Sequence, residues 1–496
     1  MTLFSGVLSF SGGWVPTVSL FLVTICFVVL RRRYSMLDDI PGPFFAAFTR
    51  LWHVRHIIIG DQNLQLVKLH KELGHFVRVS YNEVSVSHPD AIKKILLAPL
   101  PKAPWYEVMQ FPDWRWVNPM SVLDPKKKNE LSKNFAPAYS NSNLLQSEAI
   151  MDEVIARLCE WIDKHVKSEE PMDLDWFFTY TSFDIMGEIA FSKQFGFLAS
   201  GTDVGNTIHN IATLNVYGAI AGFFPRLHYL LANPAVTWTK LMPYGLLYDM
   251  TFSTIDERRK NPDARYDLIA HWFKVHEEHP ERLSMRNIEA HTFQAVGAGS
   301  DTVSTALQSF VYHIIRNPEG NHWQRIRDEI RAAQQQGRCK DPVISFADAQ
   351  KLPYLQASIK EAMRVFSPTP MALARTVPAD GLTIGDKTFA PGTLVSVNSW
   401  VIHFSTEIWG KDAAEFRPDR WLEPNGAALE KQFMPWGQGY ASCPGQNIAR
   451  LELSKIAATI VRDYDIRQVD PKQQWHWKAR FAMLPHDWPV YITKAT

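Results

Sequence analysis

The segment Phe433-Met434-Pro435-Trp436-Gly437-Gln438-Gly439-Tyr440-Ala441-Ser442-Cys443-Pro444-Gly445-Gln446 holds the residues with the most evident chemistry. A cysteine thiolate, not the thiol, is the nucleophile and the metal ligand. Gly437 and Gly439 permit a tight loop that brings backbone close to a flat ligand. Pro444 suits the first position of a helix, and the spacing predicts one from Gln446 to about Asp463. Cys443 would then face free backbone N–H groups at the positive end of a helix dipole, and both favour the thiolate. A lone cysteine is ordinarily a small buried hydrophobe. The glycine spacing and the helix start reverse that expectation here.

A second constellation lies inside a long helical pattern. Ser284 to Asn317 reads as one helix of about 34 residues, ending before Pro318. Its middle is Gly297-Ala298-Gly299-Ser300-Asp301-Thr302. Each glycine costs about 1 kcal/mol relative to alanine in a helix interior. Two of them suggest room for a ligand and a local opening of the hydrogen-bond ladder; a loosely packed core helix is the plain alternative. His291, Gln294 and Ala298 share the face of Thr302. Gln294 is polar where an apolar ligand would lie. It reads either as an amide satisfied by neighbouring backbone or as a donor to a substrate oxygen.

Further pairs stand upstream of the cysteine. Glu361 and Arg364, three residues apart on a predicted helix, can pair, and alone such a pair means little. Phe416-Arg417-Pro418-Asp419-Arg420-Trp421 follows. Trp105, Tyr106, Phe111, Trp114 and Trp116 crowd one 12-residue stretch, which fits a large apolar pocket or a surface that dips into a membrane.

Together these motifs resemble the cytochrome P-450 family of haem-thiolate enzymes, from the N-terminal apolar run to the C-terminus. The family's loop pattern is Phe-Gly-X-Gly-X-Arg-X-Cys-X-Gly, and Trp436, Gly437, Gly439, Cys443 and Gly445 stand in register. Trp436 replaces Phe, and Ala441 replaces the Arg or His that binds a haem propionate. Ala298 to Thr302 matches the family's Ala/Gly-Gly-X-Asp/Glu-Thr pattern completely.

The resemblance implies that Cys443 is the axial ligand of a haem b iron. It implies that Trp436, Gly437, Gly439, Gly445, Arg375, Ala298 and Gly299 contact the cofactor. Asp301 and Thr302 would be the acid–alcohol pair that guides protons to dioxygen, and Glu361, Arg364 and Arg420 a buried network that supports the haem loop. Trp105, Phe111, Trp114, Gln294, Thr369, Met371 and Phe481 fall where substrate is lined. The helix-C Arg that holds a second propionate is missing; Lys128 and Ser132 stand in its place. Lys126-Lys127-Lys128 then compensates, docks an acidic reductase, or is a solvated basic turn.

These sites need positioning elements. Asp61 to Gly74 reads as a helix with Leu64, Val67 and Leu69 on one side. Residues 76–80 and 84–86 alternate like paired strands around Asn82. Most of 141–366 is helical in period. Leu382-Thr383-Ile384 and Lys387-Thr388-Phe389 flank a Gly385-Asp386 turn, and 393–397 is extended. The expected fold is mainly α with a minor β region, the fold of that family, preceded by one N-terminal transmembrane helix. Residues 1–33 form the anchor, with its helix at about 14–30; residues 34–60 form a hinge and linker around Pro41-Gly42-Pro43; residues 61–496 form one haem-thiolate catalytic domain.

The anchor rests on Trp14 to Leu30, a mostly apolar run of 17 residues followed by Arg31-Arg32-Arg33. No basic n-region or small-residue cleavage site marks a signal peptide. The basic triplet should hold the body on the cytoplasmic side, in the endoplasmic reticulum membrane as a single-pass protein. Four cysteines in 496 residues exclude a disulfide framework, and the absence of any Asn-X-Ser/Thr sequon fits a body kept from the lumen. With 52 Lys plus Arg against 51 Asp plus Glu, the net charge of +1 gives no sign of a nucleic-acid partner. Hydrophobic residues at 46% and charged ones at 21% exclude a disordered or fibrous chain.

The expected activity is an NADPH- and O2-dependent monooxygenase of the fungal microsomal type. The distal motif and the 367–370 stretch look like the pisatin-demethylase-like branch. It would hydroxylate or oxidatively demethylate a large apolar secondary-metabolite scaffold: a terpenoid, polyketide or alkaloid. Electrons would come through a separate NADPH-cytochrome reductase, with cytochrome b5 as a second candidate donor, because the chain has no flavin or dinucleotide motif. Two other readings are a haem-thiolate isomerase or dehydratase without O2, which Thr302 argues against, and a catalytically silent membrane haem protein.

Overall fold

The computed structural model describes residues 14–33, 37–239, 245–260 and 267–495. Helix α1 covers Trp14–Arg33. Its side chains are described from 16 to 29, where Leu20, Phe21, Val23 and Phe27 are exposed. Among the described residues no helix is long and apolar enough to cross a membrane. Residues 41–43 are non-helical, as proline sterics require. The segment expected to be linker nevertheless contains a helix, α2 (Leu51–Ile59), which buries His53 and Ile57 and ends at Gly60 with φ 90°.

Helix α3 (Gln62–Leu73) occupies the predicted span, but its inward face differs. Leu66 and His70 are buried while Leu64 points out, 44% exposed. Of the expected stripe Val67 and Leu69 do pack on the core, but the helix buries Gln62, Asn63 and His70 beside Leu66 in place of Leu64. Strands β1 (Phe76–Ser80) and β2 (Glu83–Val86) form the expected hairpin. With β3 (Leu373–Thr376) and β6 (Leu394–Val397) they make a four-stranded sheet in the order β1-β2-β6-β3. Here β2 runs parallel to β6, and β3 antiparallel to it. Between them β4 (Leu382–Ile384) and β5 (Lys387–Phe389) form the second predicted hairpin. Two C-terminal pairs lack any counterpart in the sequence reading: β7 (Tyr464–Gln468) with β10 (Val490–Lys494), and β8 (His476–Ala479) with β9 (Met483–His486).

The body is helical: α4 (Pro125–Phe135), α5 (Glu148–Ser168), α6 (Leu174–Phe191), α7 (Thr207–Ala221), α8 (Gly245–Lys260), α9 (Leu268–Glu278), α10 (Met285–Arg316), α11 (His322–Gln335), α12 (Pro353–Val365) and α13 (Gln446–Asp463). Helix α10 starts on a capping box. The Ser284 hydroxyl accepts from Asn287 N–H, and the Asn287 side chain accepts from Ser284 N–H. Helix α6 is buried nearly all round and lies against α10, so the pair forms the centre of the fold. Phe178, Phe183, Val303, Leu307, Phe310, Leu355 and Ile456 meet there, each fully or almost fully buried. Each such side chain contributes about 1.5–3 kcal/mol by leaving water. That core fixes α10 and α13, the two helices that carry the candidate chemistry.

Candidate active site

The cysteine loop is closed by its own backbone. Gly437 and Gly439 both adopt φ 66°, a conformation open to glycine. A Cβ on Gly439 would stand 2.2 Å from the Leu96 carbonyl oxygen, so the loop needs this glycine for close approach as well. Cys443 N–H donates to the Trp436 carbonyl at 2.8 Å. The Gly445 and Gln446 N–H groups at the start of α13 donate to the sulfur and favour the thiolate, but burial pushes the Cys443 thiol up. The backbone N–H groups act in the expected direction, and burial opposes them. A cation that replaces the proton supplies the remaining drive. Cys159 is pushed up to about 11, mainly by burial, and Cys339 is raised by burial too.

Beneath the loop the predicted network is assembled. Glu361 accepts from Arg364 Nε at 2.9 Å and Nη2 at 2.7 Å, and from Arg420 Nε at 2.9 Å. Arg417 N–H and Trp421 Nε1 also donate to it, both at 2.9 Å. Arg364 donates onward to the carbonyls of His403, Ala413 and Glu415. His403 was not singled out from sequence, yet it connects this network to the loop. Its Nδ1 lies 3.1 Å from the Arg364 carbonyl, and its Nε2 accepts from Met434 N–H at 3.0 Å. Burial, aided by the Arg364 charge, pushes His403 down to about 3, so the ring is neutral and can accept. The missed signal is a histidine within an apolar run, Ser399–His403, after a strand.

On the other side, α10 passes through the core yet leaves Ala298 exposed, so an internal space opens at that turn. A Cβ on Gly297 would meet nothing within 4 Å. Gly299 differs: a Cβ there would stand 2.7 Å from Met186 Sδ, so this glycine permits close helix packing on α6. Thr302 Oγ1 donates to the Ala298 carbonyl at 2.8 Å. Asp301 Oδ2 accepts from Asn215 Nδ2 on α7 at 3.0 Å. Burial pushes Asp301 up to about 6, with the Asn215 amide pulling the other way. Asn215, a polar residue in an apolar helix, is a further residue the sequence reading passed over. Gln294 Nε2 donates to Met120 Sδ at 2.5 Å, not to backbone. His291 is buried against Phe135 and Trp272, with Nε2 3.0 Å from the Tyr139 hydroxyl.

The aromatic stretch divides. The Trp105 ring stacks on Phe481 at 5.9 Å, and both pack with Met371. Phe111 meets Tyr217 at 6.4 Å and Phe293 of α10 at 6.1 Å. Trp116 donates to Glu289 at 3.0 Å. Trp114 is 45% exposed and belongs to the surface, whereas Trp105, Phe111 and Phe481 pack against one cluster with Val108, Met109 and Ala221. Thr369 offers its carbonyl to Ser399 Oγ.

Arg375 is 1% exposed, and its Nε has no hydrogen-bond partner. Its Nη1 donates to the Ala374 carbonyl at 3.0 Å, and a buried guanidinium with a free Nε beside a cysteine loop fits an anionic, flat iron cofactor. Lys128, read as the substitute helix-C cation, turns inward, and its ammonium donates to the Tyr440 carbonyl. Ser132 Oγ is buried without a partner. The donor set of thiol, unpaired cations and close-approach glycine fits haem b.

The family model for cytochrome P-450 matches residues 41–488. A cytochrome P-450 monooxygenase of Penicillium roqueforti is 32% identical, over 92% of this chain and 94% of its own. One of Aspergillus flavus is 30% identical over 90% of both chains. A pisatin demethylase of Fusarium vanettenii is 30% identical, over 92% of this chain and 89% of its own. The chain belongs to the cytochrome P-450 family: it is a haem-dependent monooxygenase that uses dioxygen and NAD(P)H-derived electrons passed through a reductase.

Proposed function

We propose that the enzyme hydroxylates or oxidatively demethylates a large apolar secondary-metabolite scaffold at a fungal membrane. The observation that carries this reading is the lining that meets α10 at Phe293 and Gln294. Phe111, Phe293, Tyr217 and Met120 gather near an α10 turn left open at Ala298. Such a lining suits a bulky apolar ligand. The demethylase named above supports the reaction type by its likeness.

In this reading Cys443 holds the iron and Arg375 a haem carboxylate. The bound haem supplies one-electron and O2 chemistry tuned by the thiolate. The chain's own groups do the rest. Asp301, protonated below about pH 6, releases its bond to Asn215 and hands a proton toward the Thr302 hydroxyl. Apolar side chains exclude water, and Gln294 orients a substrate oxygen through its carboxamide.

Membrane attachment is part of the proposal. Apolar α1 side chains are exposed, and so are Phe44, Phe45, Leu51, Ile58, Leu227 and Leu230. The two segments carrying the latter adjoin, since Arg50 Nη1 donates to the Phe223 carbonyl at 2.7 Å. Lys126 and Lys127 remain exposed and available to an acidic reductase.

Reconstitution with a fungal NADPH-cytochrome reductase tests the reading. A thiolate-type red shift in the carbon monoxide difference spectrum, and product that needs both NADPH and O2, are expected. Deleting the gene should make the apolar precursor accumulate. Product formed without O2 would instead point to an isomerase.

A further inference from the structure

The four-stranded sheet has a second face, turned away from Arg375. Side chains alternate along a strand, so Arg375 and its partner Val395 point one way, while Ala374 and Leu394 point the other. Glu83 is the neighbour of Leu394 across β2 and β6, and it shares that outer face. There the chain encloses a recess of about 530 Å³. Trp105, Phe223 and Met371 form its apolar wall, and Arg50, His53 and Glu83 its polar floor. Trp105 and Met371 also pack with Phe481, so the recess continues from the substrate lining described above. An apolar pocket with a few convergent polar groups is the usual form of a ligand site.

Those polar groups have unused bonding capacity. His53 is 2% exposed, and its ring stacks on Phe223 at 4.6 Å. The Gln62 amide nitrogen can only donate, and it lies 2.6 Å from His53 Nδ1. Nε2 therefore bears the ring hydrogen, and it has no hydrogen-bond partner. Glu83 is 4% exposed, and its Oε2 stands 3.6 Å from that Nε2, beyond a hydrogen bond. Burial pushes the Glu83 carboxyl up, but His53, Ser396 and Arg50 outweigh it and hold the group below its ordinary value. Arg50 Nη1 donates to the Phe223 carbonyl at 2.7 Å, and its Nε is buried without a partner. Buried donors left unpaired are costly. The Arg50 and Glu83 charges balance, so neither a free anion nor a free cation is favoured. A neutral group that both donates and accepts satisfies this floor.

We propose that the recess binds an alcohol or phenol hydroxyl of the substrate, remote from the carbon that is oxidised, with the hydroxyl donating to Glu83 and accepting from His53 Nε2–H. The inference rests on the functional reading above and narrows it to apolar scaffolds that already carry a hydroxyl. No covalent bond changes at this site. Arg50 is a positioning residue: it ties the Phe223 backbone over the recess.

The probes are the precursor that accumulates on gene deletion and the methyl ether made from its hydroxyl. Each is titrated into the purified holoenzyme, and binding is read from the change in haem absorbance. The ether can still accept from His53 but cannot donate to Glu83. The parent should therefore bind the alcohol about ten- to a hundredfold more tightly than the ether. E83M offers no acceptor and should bring the two within about threefold. H53F keeps the ring stack on Phe223 and should weaken alcohol and ether alike, by about tenfold. A precursor without a hydroxyl, equal parental affinities, an undiminished preference in folded E83M, or parental affinities in H53F would overturn the proposal. Circular dichroism shows whether each variant folds; should E83M not, the two parental affinities still decide. A precursor that the parent and its reductase leave unoxidised would instead sink the functional reading.

Discussion

The two sides of the candidate cofactor space are built in opposite ways. On the loop side, Glu361 accepts five hydrogen bonds, its arginines reach five further carbonyls from Trp409, Asp412, Ala413, Glu415 and His403, and His403 accepts from Met434 at the base of the loop. Little there can move without stranding a buried charge. On the α10 side, the Thr302 hydroxyl is held by its own helix, Gln294 by a thioether, and Ala298 faces open space. Rigid charge networks suit a thiolate that must not shift. Weakly tied side chains and methionine suit ligands of varied shape.

That contrast orders the expected effects of substitution. C443S removes the thiolate and should abolish the red-shifted carbon monoxide band and reduce product by more than about a thousandfold; retention of that band would place the ligand elsewhere. E361Q keeps volume but takes from Arg364 its carboxylate partner in the core and leaves Arg420 with Asp412 alone. It should cost about 3–5 kcal/mol in chemical unfolding, with haem lost in the same transition. A loss under about 1 kcal/mol would mean that the loop side is not over-determined after all.

On the α10 side the fold should tolerate change while turnover does not. D301N should keep the parental unfolding midpoint and lose roughly a hundredfold in product formation. If protonated Asp301 donates, parental turnover falls as pH rises through about 6, and D301N lacks that limb. Equal pH profiles would remove Asp301 from proton delivery. N215L takes away a donor that favours the carboxylate, so the same limb should move to higher pH. Q294L should change only substrate affinity or the position oxidised, leaving stability within about 1 kcal/mol. An unaltered product profile would reduce Gln294 to packing against Met120.

Legibility followed the same division. The loop glycines, Cys443, the Glu361–Arg364 spacing and the bounds of α10 and α13 could be read because each depends on local backbone chemistry: turns, caps and helical period. Helix α2 escaped because a nine-residue helix carries little period of its own and is held by α7 and β1. Leu64 was misjudged for a related reason. A residue type signals burial or room, but not what lies opposite. Trp114 and Trp105 share a stretch, yet only one faces the interior.

The sequence by itself determined the chemistry: a cysteine at a helix start, an acid–alcohol pair within a long helix, and the spacing that unites both in one family. Tertiary structure decided the partners. It set burial against the helix start at Cys443, gave Asp301 to Asn215, joined His403 to Met434, and paired the backbone of Lys102 with that of Arg375, far apart in the chain. Local spacing is set by bond geometry and can be read along the chain. Desolvation and charge pairing depend on what the folded core brings near, and that is known only once the chain is packed.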